Sequence, residues 1–204
     1  MLKTLRIMGE NREICEVCQK QIDDCICCPE CSHICDLDYG EYYCPVCFPM
    51  KKAFNSKNDA YYMRFALKQA EEAYKQEEVP VGAILIIGDK IIASAYNTKE
   101  LTSDPTAHAE LTAIRESAMK TGMRYLTDAT LYVTKEPCVM CAGAMVNARL
   151  GRLVYGCSDK RFGAIKSRYQ IASDPSLNHQ VAVLSGVLEQ ECADILQRFF
   201  KLRR

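Results

Sequence analysis

Two short strings in the second half of the chain carry the residue types needed to hold a metal and move a proton. His108-Ala109-Glu110 and Pro137-Cys138-Val139-Met140-Cys141 together offer one imidazole, one carboxylate and two thiols. Cysteines three apart at a helix start can both face one ion, and the helix dipole there favours their thiolate forms. His108 would add a neutral nitrogen, giving three protein ligands and an open fourth position. Three ligands plus water distinguish a catalytic zinc from a closed structural one. Bound zinc lowers the pKa of water from about 16 to roughly 7. Glu110, two residues past the histidine, is placed to carry protons rather than to bind metal. Singly, a His in a helix is more often a packed or surface residue, and a lone CxxC is often redox-active or simply buried. The combination is far more specific.

The surrounding pattern predicts how these residues are held. Residues 59–76 read as a helix with Ala60, Met63, Phe65, Ala66, Ala70 and Ala73 along a largely apolar stripe. VGAILII at 81–87 is a buried strand, Gly88-Asp89 a hairpin turn and IIASAY at 91–96 its partner. Asp104-Pro105-Thr106 opens a helix that runs over 106–120 and stops at Gly122, so His108 and Glu110 fall in its first turn. ATLYVTK at 129–135 is a strand, and Pro137 begins a helix over 138–149. Strands at 152–156 and 180–185 and a helix at 188–202 complete the order. Helices alternating with strands after an initial hairpin predict a three-layer α/β/α domain over 59–204 with a mixed five-stranded sheet.

Residues 59–204 resemble the bacterial tRNA-specific adenosine deaminases. The carrying strings are DPTAHAE at 104–110, EPCVMCAGAMVNAR at 136–149, VYG at 154–156, LNH at 177–179 and FFKLRR at 199–204. His-x-Glu followed by Pro-Cys-x-x-Cys is the known signature of the zinc nucleobase deaminases. The resemblance implies a cytidine-deaminase-like fold and hydrolytic conversion of adenosine to inosine at the wobble position of a tRNA anticodon. It implies one catalytic zinc per chain on His108, Cys138 and Cys141, with Glu110 as proton shuttle. It places Asn97 and Ala109 against the target nucleoside, and it implies a homodimer whose partner helps complete each site. Ala142, Gly143, Ala144 and Ala148 would allow close helix approach, although small residues also fill monomer cores. The chain departs from the family at Lys135, where leucine is usual, and at Phe162 and Lys166, where smaller residues are common. Those departures bear on loop geometry and RNA contacts.

The metal set does not choose the substrate, because deaminases of free bases and nucleosides use the same chemistry. A non-catalytic zinc or RNA scaffold is the other alternative, and it would have no need of Glu110. The tail says more: Arg198, Phe199, Phe200, Lys201, Arg203 and Arg204 put four cations and two rings in seven residues. That composition suits phosphate contact and base stacking at an anticodon loop. An amphipathic last helix with one Phe in the core would look the same. Phe199, Phe200 and Arg203 are the candidate RNA contacts.

The first 50 residues read differently. Nine of the 13 cysteines fall between Cys15 and Cys47. Cys28-x2-Cys31 and Cys44-x2-Cys47, separated by 12 residues, have the spacing of a zinc ribbon. Cys15, Cys18, Cys25 and Cys35 are candidates for a second ion, with Cys27 and His33 nearby; four thiolates would equally suit an iron–sulfur cluster. One or two structural zinc ions are therefore expected in residues 15–47, in a small module over 1–50 joined by a linker at 51–58. Residues 1–50 hold 4 Lys+Arg against 9 Asp+Glu, and the remainder 22 against 17. The module is thus a poor phosphate binder on charge, and nothing in its spacing identifies its partner. No apolar run approaches the ~18 residues of a membrane span, and MLKTLRIMGENRE has no h-region. A cytoplasmic protein with no membrane partner is expected.

Overall fold

The computed structural model describes residues 58–203, together with the backbone of two N-terminal strands, β1 (Leu2–Ile7) and β2 (Glu10–Cys15). These strands pair antiparallel, with Leu2 opposite Cys15 and Ile7 opposite Glu10. Sequence reasoning did not expect this hairpin. The ribbon cysteines Cys28, Cys31, Cys44 and Cys47, the second set at Cys18, Cys25 and Cys35, and all but the last residue of the expected linker lie outside the described residues.

The larger region begins with α1 (Asp59–Lys75), where Asn58 Oδ1 caps the first turn by accepting from Tyr61 N–H at 2.9 Å. Strands β3 (Gly82–Ile87) and β4 (Lys90–Tyr96) form the expected hairpin. A short helix α2 (Lys99–Thr102) and the longer α3 (Ala109–Thr121) follow. Then come β5 (Ala129–Lys135), α4 (Val139–Asn147), β6 (Arg152–Cys157), β7 (Ala182–Ser185) and α5 (Glu189–Lys201). The sheet order is β4-β3-β5-β6-β7, antiparallel as far as β5 and parallel from β5 to β7. That is the mixed five-stranded sheet the pattern predicted. The β6–β7 crossover departs from helix–strand alternation, because its only regular turn is a 3₁₀ helix at Ile171–Ser173.

Side chains alternate across the sheet to two helical layers. Ala83, Leu85, Leu131, Val133, Leu153 and Tyr155 pack with α3 and α4. Ile84, Ile86, Tyr132 and Val154 pack with Tyr62, Met63 and Ala66 of α1 and Cys192 and Leu196 of α5. Gly82 lets α1 lie directly on β3: a Cβ there would stand 2.1 Å from Ala66 O and 2.3 Å from Ala70 N. No described helix is long and apolar enough to cross a membrane.

The predicted start of α3 needs correction, and the cause is local. Asp104 Oδ1 accepts from Thr106 N–H at 2.8 Å and from its hydroxyl at 2.7 Å. That turn holds Thr106 outside the helix, so the helix starts at Ala109 and His108 becomes its N-cap. Helix α4 behaves alike, starting at Val139 with Cys138 as N-cap.

One ion pair fixes α1 to the far end of the sheet. Asp59 receives Arg152 in bidentate fashion at 2.8 and 2.9 Å and the Tyr132 hydroxyl at 2.7 Å. Both charged side chains are largely buried, so removing the carboxylate charge deprives a buried guanidinium of its bidentate ion pair. Asp59→Asn is expected to lower stability by about 3 kcal/mol, read as a lower urea midpoint with the slope unchanged.

Candidate metal centre and nucleoside pocket

Strand register brings the functional residues to one end of the sheet. Tyr96 pairs with Gly82, Ala83 with Val133, and Lys135 with Cys157. The chain segments leaving β4, β5 and β6 therefore emerge together, and they carry Asn97, His108, Cys138 and Asp159. The crevice beyond the carboxyl ends of parallel strands is where α/β sheets bind ligands.

His108 and Cys138 each occupy an N-cap in extended conformation (φ −78°, ψ 146° and φ −78°, ψ 175°), and neither side chain caps its own helix. Both are left free to converge. His108 Nδ1 lies 3.7 Å from Cys138 Sγ and 3.5 Å from Cys141 Sγ, and the two sulfurs are 3.7 Å apart. Metal bonds of about 2.3 Å to sulfur and 2.0 Å to nitrogen at tetrahedral angles require separations of about 3.8 and 3.5 Å. The triangle fits a zinc ion. It is the single group of three or more His, Cys, Asp or Glu side chains among the described residues arranged to hold a metal.

The three side chains shift one another's protonation. Cys138 is pushed down to about 3, first by the hydrogen bond with Cys141 and then by His108, against the effect of burial. Cys141, fully buried, is pushed up by the same hydrogen bond and by burial. The hydrogen bond with Cys138 raises the His108 pKa. Glu110, 4% exposed, is the second residue of α3, and burial raises its pKa. Ala109, the first helical residue, is fully buried between them.

A second carboxylate, Glu136, organises the turn that supplies Cys138. It is buried, yet five donors satisfy it: the N–H groups of Asp159 (2.9 Å), Ile165 (3.2 Å), Lys166 (2.8 Å) and Ser167 (2.8 Å), and the Ser167 hydroxyl. Ala164 N–H closes the ring on Pro137 O at 2.8 Å. Gly163 is needed for this approach, since a Cβ would meet Glu136 Oε2 at 2.4 Å. Lys135, one of the departures from the family pattern, pairs with Asp159, which also accepts from Arg161 and Phe162 N–H at 2.8 and 3.2 Å. The loop over 159–167 thus keeps a fixed shape while Phe162 stays exposed.

The other candidates separate clearly. Asn97 is buried, with Nδ2 donating to Glu78 Oε2 at 2.9 Å. Phe199 is a core residue, 5% exposed and edge-on to Tyr74. Arg203 stacks on Phe199 at 3.8 Å and donates to Glu77 O at 2.7 Å. Phe200 is 49% exposed. Sequence reasoning passed over Glu78; its only signal is an acidic residue directly before the Val79-Pro80 entry to a buried strand. Glu136 was seen only as part of a motif, and its five donors lie more than 20 residues away.

This is the deaminase fold, with a His108–Cys138–Cys141 group that could hold a metal ion. A MafB19-like deaminase model matches residues 57–204. The tRNA-specific adenosine deaminase of Haemophilus influenzae is 46% identical over 150 residues, covering 73% of this chain and 87% of that protein. The enzyme of the same name from Bacillus subtilis is 43% identical over 143 residues, 70% and 89% of the two chains. A solved structure from work on A-to-I editing by tRNA:A34 deaminases at the wobble position superposes with a TM-score of 0.65. It is 42% identical, and the match covers 67% of this chain and 99% of the other. The chain belongs to the tRNA-specific adenosine deaminase family.

The Asp159 carboxyl is held below its ordinary 3.8: burial alone would raise it, but the Lys135 ammonium and two backbone N–H groups outweigh burial. A depressed folded-state pKa adds stability that is complete above the unfolded value and disappears as pH falls through the folded one. The urea-midpoint difference between wild type and Asp159→Asn should therefore be constant above about pH 5 and shrink below 3.8. A difference unchanged down to pH 3 would contradict the pairing with Lys135.

Proposed function

We propose that this protein is a zinc-dependent hydrolase that converts adenosine to inosine at the wobble position of a tRNA anticodon in the cytoplasm. The observation carrying the reading is the His108–Cys138–Cys141 triangle with Glu110 buried two residues from the histidine. Family membership supports adenosine in tRNA as the substrate. His108, Cys138 and Cys141 would hold a zinc ion, which would supply a Lewis acid that makes a water acidic near neutral pH. Glu110 then accepts a proton as the water oxygen bonds to carbon 6, and passes it to N1 of the purine. The remaining water proton goes to the amino group, the carbon–nitrogen bond breaks, and inosine and ammonia leave. The target base must be extruded from its loop to reach a site at this depth. Asn97 and Ala109 line the nucleoside, and the exposed Phe200 with nearby cations is the element of the tail left to meet RNA. Assembly as a homodimer belongs to the reading on the family resemblance.

Incubation with bulk tRNA followed by nucleoside analysis tests the reading. Inosine supports it; turnover of free purines alone, or binding without turnover, overturns it. Glu110→Ala should keep its zinc, because the three ligands are intact, and lose at least ~10²-fold in kcat. Retained activity at unchanged zinc content would remove Glu110 from the mechanism.

The cysteine-rich first 50 residues are assigned a structural role. Four thiolates at Cys28, Cys31, Cys44 and Cys47 leave no open position for water. With a zinc ion's +2 offsetting half of their charge, they would also add about two net negative charges to an already acidic segment. Deleting residues 1–50 should leave deamination of a minimal anticodon stem–loop intact and lower zinc content by at least one ion per chain. A folded, zinc-loaded truncation that has lost stem–loop activity would place the module in catalysis or RNA binding.

A further inference from the structure

Glu78 is a buried carboxylate, 1% exposed, whose two oxygens are taken by neutral donors. Oε2 accepts from Asn97 Nδ2 at 2.9 Å, and Oε1 accepts from Leu101 N–H, in α2, at 2.7 Å. The end of α1 aims it inward. Glu77 takes a left-handed conformation (φ 61°), and Glu78 N–H turns back to Ala73 O at 2.9 Å. Arg203, stacked on Phe199, holds the reversal through Glu77 O.

This arrangement decides which end of the Asn97 amide faces away from the carboxylate. A carboxylate only accepts hydrogen bonds, so Nδ2 must face Glu78 and Oδ1 must face the other way. Turning the amide over would set two acceptor oxygens against each other in a buried place. No donor among the described residues reaches Oδ1. The backbone holds the residue in position as well: Asn97 N–H donates to Val81 O at 3.0 Å, and Thr98 N–H donates to Ala107 O at 3.1 Å, one residue before His108. The amide therefore stands beside the chain segment that carries the first metal ligand.

We infer that Glu78 is a positioning residue: it locks the Asn97 amide with its oxygen toward the substrate, so the site selects a nucleoside that offers a hydrogen-bond donor there. The donor is a ribose hydroxyl or the exocyclic amine. The inference rests on the deaminase reading above and adds how one contact is given its polarity.

The test exchanges donor and acceptor along the chain of bonds. In Glu78→Gln, Leu101 N–H keeps the Gln oxygen, so the Gln NH₂ faces residue 97 and turns the Asn97 amide over. Its kcat/KM for an anticodon stem–loop should fall by about 10-fold or more. Asn97→Asp alone sets two carboxylates face to face and should be impaired too. The double variant Glu78→Gln, Asn97→Asp again presents an acceptor and should recover to within about 3-fold of wild type. Melting temperature and zinc content of each variant check the fold. Recovery of kcat/KM in the double variant, with melting temperature and zinc content unchanged in the single variants, is the expected result, because a merely structural pair would lose and regain melting temperature together with activity. Losses that add, or a folded Glu78→Gln as active as wild type, would overturn the inference. A stem–loop with 2′-deoxyadenosine at the target tells the donors apart: the Glu78→Gln penalty vanishes if the 2′-hydroxyl is the donor and persists if the amine is. Absence of inosine with wild-type protein would overturn the deaminase reading instead, and the same exchange pattern would then be read in stem–loop Kd.

Discussion

A carboxylate taken out of water must find donors, and Glu136 finds them in one loop. Its four backbone N–H partners and the Ser167 hydroxyl all come from residues 159–167, while Glu136 itself sits two residues before Cys138. Leaving that carboxylate unsatisfied would cost several kcal/mol, so the loop after β6 and the turn after β5 are ordered as one unit. Without that coupling, Cys138 would sit on a flexible connection and the ligand triangle would lack one fixed corner.

The same economy recurs at the other ligand. His108 is held outside α3 because Asp104 satisfies Thr106 before the helix can begin. Both ligand-bearing N-caps have non-helical backbone, which turns their side chains away from their own helices and toward each other. Cys141 is then the third residue of α4, fully buried, and Glu110 the second residue of α3. The two helix N-termini add their partial positive charge where thiolates must be held. The sheet supplies the remaining constraint, since the paired ends of β4, β5 and β6 leave little freedom in how these segments meet.

Aromatic and cationic residues are divided between packing and display. Phe199 and Arg203 spend their surfaces on Tyr74 and on the carbonyl of Glu77, which steadies the turn carrying Glu78. Phe200 and Phe162 remain exposed. A composition that looks uniform along seven residues thus contains two kinds of residue, because helical period places neighbours about 100° apart.

Over residues 59–204 the long helices, the strand order and the mixed sheet were legible in the chain by itself, because they depend on spacing within single elements. A CxxC spans less than one helical turn, and apolar alternation repeats every two residues. What required the tertiary structure were relations across long separations. His108 meets Cys138 over 30 residues, Glu136 meets Ser167 over 31, and Glu78 meets Asn97 over 19. The start of α3 was misjudged by three residues because a side-chain turn at Asp104 competed with helical hydrogen bonding. Periodicity carries no record of such competition, nor of which buried carboxylate finds which amide. Those choices are made when desolvation forces every buried polar group to take a partner, and only the folded chain brings the partners within reach.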